Sequence, residues 1–359
     1  MGAGGGAPRG GRVSRPIVAV RLRALGDLVL SSAAFRSLAA GHPGSPLHVV
    51  AESRFAPLLE EQPEIARVWP VERTIRSTLA ATWALRALRP DVAVDFFGNS
   101  RSAVIARGSG AKRVWGFDLR GRRAFYHDTV PRVQHPGGDR REYAAASSLR
   151  LARAAGGAET DVRPRLTLSE RARREGEQCL ASADVRDPAH TIGLVPAGSW
   201  PSKTWPLSHA ALLARQLLAS GFGVLAIGGP GEEGMLARLA SLALGVRTLR
   251  APHVRALAGA IAPLRGLVGT DSGPRHIAVA FDVPTYTWFG PAHPEAWTPD
   301  DPRHAWWRTS LPCRACERTV CPHWNCLPAL SAEEASERVL AHLERHGRPS
   351  ADLRTAAGA

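Results

Sequence analysis

Residues 266–297 read GLVGTDSGPRHIAVAFDVPTYTWFGPAHPEAW, and this stretch decides the fold. The apolar run 266–269 breaks at Thr270-Asp271-Ser272-Gly273-Pro274. A short helical stretch, a second apolar run and a Gly-Pro loop follow. Strand, polar turn and helix in that order make a βα unit. Pro274 suits the first turn of the helix, where its missing N–H would have had no intrahelical partner. Ligands of open α/β sheets sit beyond the carboxyl ends of the strands, where helix N-termini offer free N–H groups to anions. The turn is therefore expected to hold a phosphorylated ligand.

The same alternation extends upstream. Apolar runs at 15–22, 47–51, 91–97 and 114–117 alternate with helical stretches at 28–40, 55–62, 73–88 and 100–107. Residues 118–142 read as a basic loop carrying Arg120, Arg122, Arg123, Arg132, Arg140 and Arg141, either a solvated surface or a seat for an acidic acceptor. A second series of strands starts at 190–195 and continues at 223–227, with helices at 208–220, 232–244 and 253–261. Alternating units of this kind build parallel, doubly wound sheets, so the expected class is α/β. The expected division is a disordered tail at 1–15, a domain at 16–165, a linker and helix at 166–189, and a second domain at 190–330. A terminal helix at 331–346, opened by the capping box Ser331 and Glu334, and a flexible tail at 347–359 complete it.

The 359 residues suffice for two cores. A hydrophobic share of 44% with 22% charged residues is ordinary, but the net charge of +14 is not. All but two of the 46 basic residues are arginine, the exceptions being Lys112 and Lys203. Arginine suits phosphates and carboxylates, whether on nucleic acid, anionic lipid or an acidic sugar. The N-terminal residues lack the apolar core of a secretory signal. No run approaches the ~20 apolar residues that span a bilayer. A cytoplasmic protein that touches a membrane without crossing it is expected. A nucleic-acid-binding protein fits less well, because the tryptophans stand mainly singly in loops rather than in a stacking pattern. A nicotinamide-dependent enzyme is disfavoured because no Gly-x-Gly-x-x-Gly follows the first strand.

Four loops after expected strands hold the polar chemistry: Gly26-Asp27, 199–205, 228–233 and 270–276. Taken singly, each has a plain structural reading, with Asp27 as a helix cap, GGPG as a turn and Asp271 as an Asx-turn acid. Lys203 is more telling, since lysine is so rare here. Trp200, Pro201, Trp205 and Pro206 stiffen its loop enough to aim an ammonium at a phosphate. Asp-x-Asp occurs nowhere, which argues against a diphosphate held through a metal ion. Lysine and helix dipole would then replace the cation.

In this order, GDLVLSSAAFRSL, DFFGNSRSAVIARGSGAKRVWGFD, PAGSWPSKTWP, GGPGEE, GTDSGPRHIAVAFDVPTYTWFGPAHP and PCRACERTVCPHWNC resemble glycosyltransferase family 9, the ADP-heptose:lipopolysaccharide heptosyltransferases. The resemblance covers roughly residues 16–346. It implies a GT-B fold, two Rossmann-like domains facing across a cleft, with acceptor on the N-terminal half and nucleotide-sugar on the C-terminal half. It also implies an inverting transfer of a heptose or related sugar from an ADP-sugar donor to the lipopolysaccharide inner core or a similar acidic glycan. The partners would be an anionic glycolipid acceptor and the cytoplasmic face of the inner membrane, for a monomer without nucleic acid. A same-fold transferase with another nucleotide-sugar and acceptor is the alternative.

Residue by residue, the resemblance implies Asp27 as general base and Lys203 as the contact to the departing diphosphate. A carboxylate at a helix N-terminus is favoured as the anion, so such a base would act late, once the attacking oxygen has become acidic. Ser199, Gly229, Glu232, Asp271, Ser272, Gly273 and His276 would complete the donor site, with Glu233 leaving the register of the ribose-binding acid open. Gly26, Asn99, Arg101 and Arg120 would serve the acceptor. No cofactor is implied for catalysis. The chain departs from the family pattern at Ala33, where a proline is usual, at Arg275, where an apolar residue is usual, and at Ala292-His293, where Thr-Asp is usual.

Cys313, Cys316, Cys321 and Cys326, with His323 among them, could hold a structural zinc in a small knuckle. Reduced thiols in a packed loop, or an adventitious disulfide, are the alternatives. Cys179 reads as an isolated helix residue.

Overall fold

A computed structural model describes residues 15–133, 141–312 and 315–348. Most of both expected tails therefore lies outside the described residues.

Strands β1 (Ile17–Val20), β2 (Leu47–Glu52), β3 (Arg67–Val71), β4 (Val92–Asp95), β5 (Arg113–Phe117) and β6 (Asp128–Val130) form a parallel sheet in the order β3-β2-β1-β4-β5-β6. Strands β7 (Thr191–Val195), β8 (Gly223–Ala226), β9 (Arg247–Thr248), β10 (Gly266–Thr270), β11 (Thr285–Phe289) and β12 (His304–Arg308) form a second, in the order β12-β11-β10-β7-β8-β9. Read from its other edge, the second sheet repeats the winding of the first. This is the order of doubly wound nucleotide-binding sheets, and the expected α/β architecture of two Rossmann-like domains holds.

The N-terminal sheet carries α1 (Leu25–Leu30), α2 (Ser32–Gly41), α3 (Ala56–Leu59), α4 (Ile75–Ala87), α5 (Ser100–Gly108) and α6 (Ala144–Ala154). After it come α7 (Glu170–Ser182), α8 (Leu207–Ala219), α9 (Glu233–Leu242), α10 (Val254–Ile261), α11 (Gly273–Ala280), α12 (Pro294–Trp297) and α13 (Ala332–His346). Every residue of β1, β2, β7, β10 and β11 is buried. Covered on both faces, such strands are written as continuous apolar runs, which is why the sequence displays them.

The sequence reading did not anticipate β3, β6, β9 and β12, and these are the four edges of the two sheets. Each has a single ladder partner and is partly exposed, so no apolar run marks it. The loop expected over 118–142 contains β6, and α6 follows it where no helix was expected. The loop expected at Gly26-Asp27 is instead the first turn of α1, which ends at Ser31 before α2 resumes.

The linker helix α7 is part of the C-terminal packing. Gly176 lies against the Gly259 backbone of α10, and a Cβ at Gly259 would stand 1.9 Å from the Ala172 carbonyl. Arg255 of α10 donates to Glu175 through Nε at 2.8 Å and Nη2 at 2.9 Å, and reaches Glu60 of the N-terminal half through Nη1 at 3.1 Å. A second junction of the halves lies over the sheets' carboxyl ends. There Gly26 of α1 abuts the His276 ring of α11 so closely that a Cβ would sit 2.4 Å from its Cδ2.

Candidate active site

On the N-terminal side, β1 delivers the chain into α1, whose first turn carries Asp27 with buried Gly26 before it. The Asp27 carboxylate accepts the Ala24 N–H at 3.2 Å and is ion-paired with Arg21. Arg21 is itself buried and also donates to the Phe96 carbonyl, with its guanidinium 5.6 Å from the Phe97 ring. Arg21 directly follows β1 and Phe96 directly follows β4, so Asp27 is held from the ends of two neighbouring strands as well as from its own helix. The sequence reading passed over Arg21. Its signal was a charged residue near the end of an otherwise apolar strand.

Across the junction, Lys203 follows the loop after β7, and Asp271 follows β10. Both are buried, and Lys203 Nζ donates to Asp271 Oδ2 at 2.5 Å. Burial pushes the Asp271 carboxyl up, but the Lys203 and Arg275 cations outweigh it and hold the group below its usual range. The ammonium lies 4.4 Å from the Trp200 ring and 6.0 Å from that of Trp297. One of its three N–H donors serves Asp271, which leaves donors for a ligand.

Ser272 and Gly273 open α11, and His276 stands one turn in. Burial, and then the Arg275 cation, push His276 down to about 3, so its ring is neutral at ordinary pH. Among the described residues the buried Thr270 Oγ1, Ser272 Oγ and His276 Nδ1 have no hydrogen-bond partner. Buried polar atoms are nearly always paired, so three around one turn mark a place built to receive polar groups. The side chain of Ser272 makes no capping bond, and the amides of the first turn remain available to an anion.

Arg275, the departure from the family pattern, is fully buried. It donates to the Trp297 carbonyl at 2.9 Å and to Thr298 Oγ1 at 2.7 Å, fixing the end of α12. Trp297 in turn meets the His276 ring edge-on at 6.1 Å. Trp297 also lines a cavity of about 320 Å³ between the halves, together with Asp27, Arg21, Arg132 and Arg141. Trp297 thus touches both sides of the site, a role that no local sequence signal marks.

The remaining expected residues are placed as follows. Glu232 precedes α9 and its Oε2 accepts the Gly229 N–H at 2.7 Å, while Glu233 is exposed in the first turn. Ser199 is exposed in the Lys203 loop. Asn99 caps α5, accepting from the Ser102 N–H at 2.8 Å. Arg101 is tied to the buried Glu52 at 2.6 Å, and Arg120 is exposed in the turn after β5. None of these three lines the Asp27 cavity; Arg132 and Arg141 from the basic loop do.

Cys313 lies outside the described residues, Cys316 is exposed, Cys321 is half-buried and Cys326 is buried. Among the described residues no three His, Cys, Asp or Glu side chains converge as metal ligands, and Cys313, the first of the four expected zinc ligands, lies outside them. Their loop braces the site: Ser202 Oγ donates to the Arg318 carbonyl at 2.6 Å and Ser202 N–H to that of Thr319 at 3.3 Å. No described helix is long and apolar enough to cross a membrane.

Comparison with known proteins gives the same assignment. The profile of glycosyltransferase family 9 (heptosyltransferase) matches residues 79–326. Lipopolysaccharide heptosyltransferase 1 of Pseudomonas aeruginosa is 27% identical over 327 residues, covering 86% of this chain and 87% of that protein. A family 9 glycosyl transferase from Veillonella parvula superposes with a TM-score of 0.78 at 20% identity, over 93% of this chain and 98% of its own. The ADP-heptose lipopolysaccharide heptosyltransferase II of E. coli gives 0.76 at 22% identity, over 92% and 99%. With the family profile covering more than half of the chain, from within α4 to the cysteine loop and through Lys203 and Asp271, the chain belongs to glycosyltransferase family 9, the heptosyltransferases.

Proposed function

We propose that the protein transfers a heptose, or a closely related sugar, from an ADP-sugar to a lipopolysaccharide-type acceptor with inversion at the anomeric carbon. One observation carries this reading: the first turns of α1 and α11, from opposite halves, meet with Asp27 on one and the Lys203–Asp271 pair beside the other. The donor class is that of the relatives, one of them named for ADP-heptose.

Asp27 takes the proton of the acceptor hydroxyl as its oxygen attacks the anomeric carbon. The bond from that carbon to the diphosphate oxygen breaks, and ADP leaves with the electron pair. Lys203, the amides opening α11 and Ser272 Oγ receive the charge that grows on the diphosphate. Arg21 is a positioning residue, orienting Asp27 from the sheet. No cation is required in this scheme. Arg132 and Arg141, lining the same cavity, suit an acceptor bearing carboxylates or phosphates. Such an acceptor is a membrane-anchored glycolipid, so the enzyme works as a peripheral monomer at the cytoplasmic face of the inner membrane.

Asp27→Asn tests the base. The variant should stay folded and keep its stabilisation by ADP, and lose about 10²–10⁴-fold in transfer. Full activity in that variant would remove Asp27 from the chemistry. Stabilisation by UDP or GDP forms in place of ADP would redirect the donor while leaving the fold and base intact.

A further inference from the structure

Helix α4 turns outward a face that water-facing helices do not normally carry. Thr78, Ala81, Thr82 and Leu85 are its buried side. Ile75, Leu79 and Trp83 are 80%, 48% and 72% exposed, and Val104 of the neighbouring α5 is 39% exposed. Side chains four apart stack along one side of a helix, so the three form a row rather than scattered exceptions. Single exposed apolar residues need no explanation, but a contiguous row that includes a tryptophan marks a contact surface.

Arg76, Arg86 and Arg89 are exposed, and no acidic residue occurs from Arg73 to Arg89; Arg73, at the helix entrance, is paired with Glu52 at 3.7 Å. At 100° per residue Arg76 and Arg86 stand close beside the row. Aliphatic and indole groups bordered by arginines are the pattern of a helix lying in a bilayer interface. The apolar row enters the acyl boundary, and the guanidinium groups meet anionic headgroups. Location agrees: α4 follows β3, so it begins at the carboxyl edge of the sheet, the edge that faces the cleft. The Glu72 carbonyl just before it accepts from Arg101 Nη1 at 2.9 Å, next to the opening of α5.

We propose that α4 docks the protein on an anionic lipid surface through Ile75, Leu79 and Trp83, with Arg76, Arg86 and Arg89 at the headgroups. The purpose of this docking rests on the proposed glycolipid acceptor, but its test does not. A second copy of the chain fits the face less well, because pairing it with itself sets arginines against arginines.

The experiment is flotation of the full chain with phosphatidylglycerol/phosphatidylcholine vesicles that contain no glycolipid, with pure phosphatidylcholine as the control. The wild type should float with the anionic vesicles only. Ile75→Ser/Leu79→Ser/Trp83→Ser should lower the bound fraction by about tenfold or more, with melting temperature and transfer to a water-soluble acceptor fragment unchanged. Arg76→Gln/Arg86→Gln should also weaken binding, and added salt should mimic it. Equal binding by the triple variant and the wild type would overturn the proposal. So would a wild-type dimer that the triple variant converts to a monomer, since the row would then be a self-association face. Failure of sugar transfer with every donor would sink the proposed function and leave the flotation result standing.

Discussion

Lys203 and Asp271 are 68 residues apart in the chain and joined by one buried ion pair. Lys203 was legible because lysine is so scarce, and Asp271 because it ends a strand at a polar turn, but nothing local announced their pairing. The pairing sets a test that separates structure from catalysis. Lys203→Met leaves a buried carboxylate uncompensated and should cost about 3–5 kcal/mol in urea denaturation. Lys203→Met/Asp271→Asn should recover most of that stability and none of the transfer. If the double variant also regained transfer, the pair would serve the fold alone. The partners of Arg21 and Arg275 are not legible in the sequence for a related reason. Each arginine is a buried cation whose partners lie outside its own element, Phe96 and Asp27 for one, Trp297 and Thr298 for the other.

Helices α7 and α10 pack glycine to glycine, with Gly176 against Gly259. The contact brings the linker helix onto the C-terminal half and places Glu175 beneath Arg255. Arg255, first among the causes, draws the Glu175 carboxyl down to about 2. Gly259→Ala would drive a methyl into the Ala172 carbonyl of α7, backbone against backbone, so neither side can yield by a rotamer change. It should destabilise by about 3 kcal/mol, at the upper end of overpacking costs, read as a lower urea midpoint with an unchanged slope. A midpoint equal to the wild type would mean that α7 can slide on α10. The pattern of what was legible follows burial. Strands covered on both faces showed as apolar runs, whereas β3, β6, β9 and β12, with one neighbour each, did not. The cap of α13 was also legible, Ser331 accepting from the Glu334 N–H at 3.2 Å.

The molecule as a whole is one winding used twice, closed by the α1–α11 junction and by the Arg255–Glu60 pair, whose partners are 195 residues apart. Three buried histidines make its stability depend on pH. Burial pushes His276 and His304 down to about 3 and His342 to about 4, from 6.5. Below pH 6.5 the unfolded chain takes up these protons while the folded one refuses them, so the unfolded state binds more protons and stability falls as the pH falls. Above 6.5 both states are neutral at these groups and the contribution is complete. The melting temperature should therefore be clearly lower at about pH 5 than at about pH 7.5. Equal values would show that the three rings are not neutral and buried in solution. By itself the sequence determined the α/β class, the eight inner strands, the polar stretches that follow β1, β7, β8 and β10, and the family resemblance. All of these are local: strands buried on both faces are apolar throughout, and loop chemistry is carried by neighbouring residues. Only the tertiary structure decided the sheet edges, the partners of Asp27 and Lys203, the burial of Arg275 and the outward row on α4. Those depend on which distant segments meet, and a helix cannot declare from its own sequence whether anything in the fold will cover it.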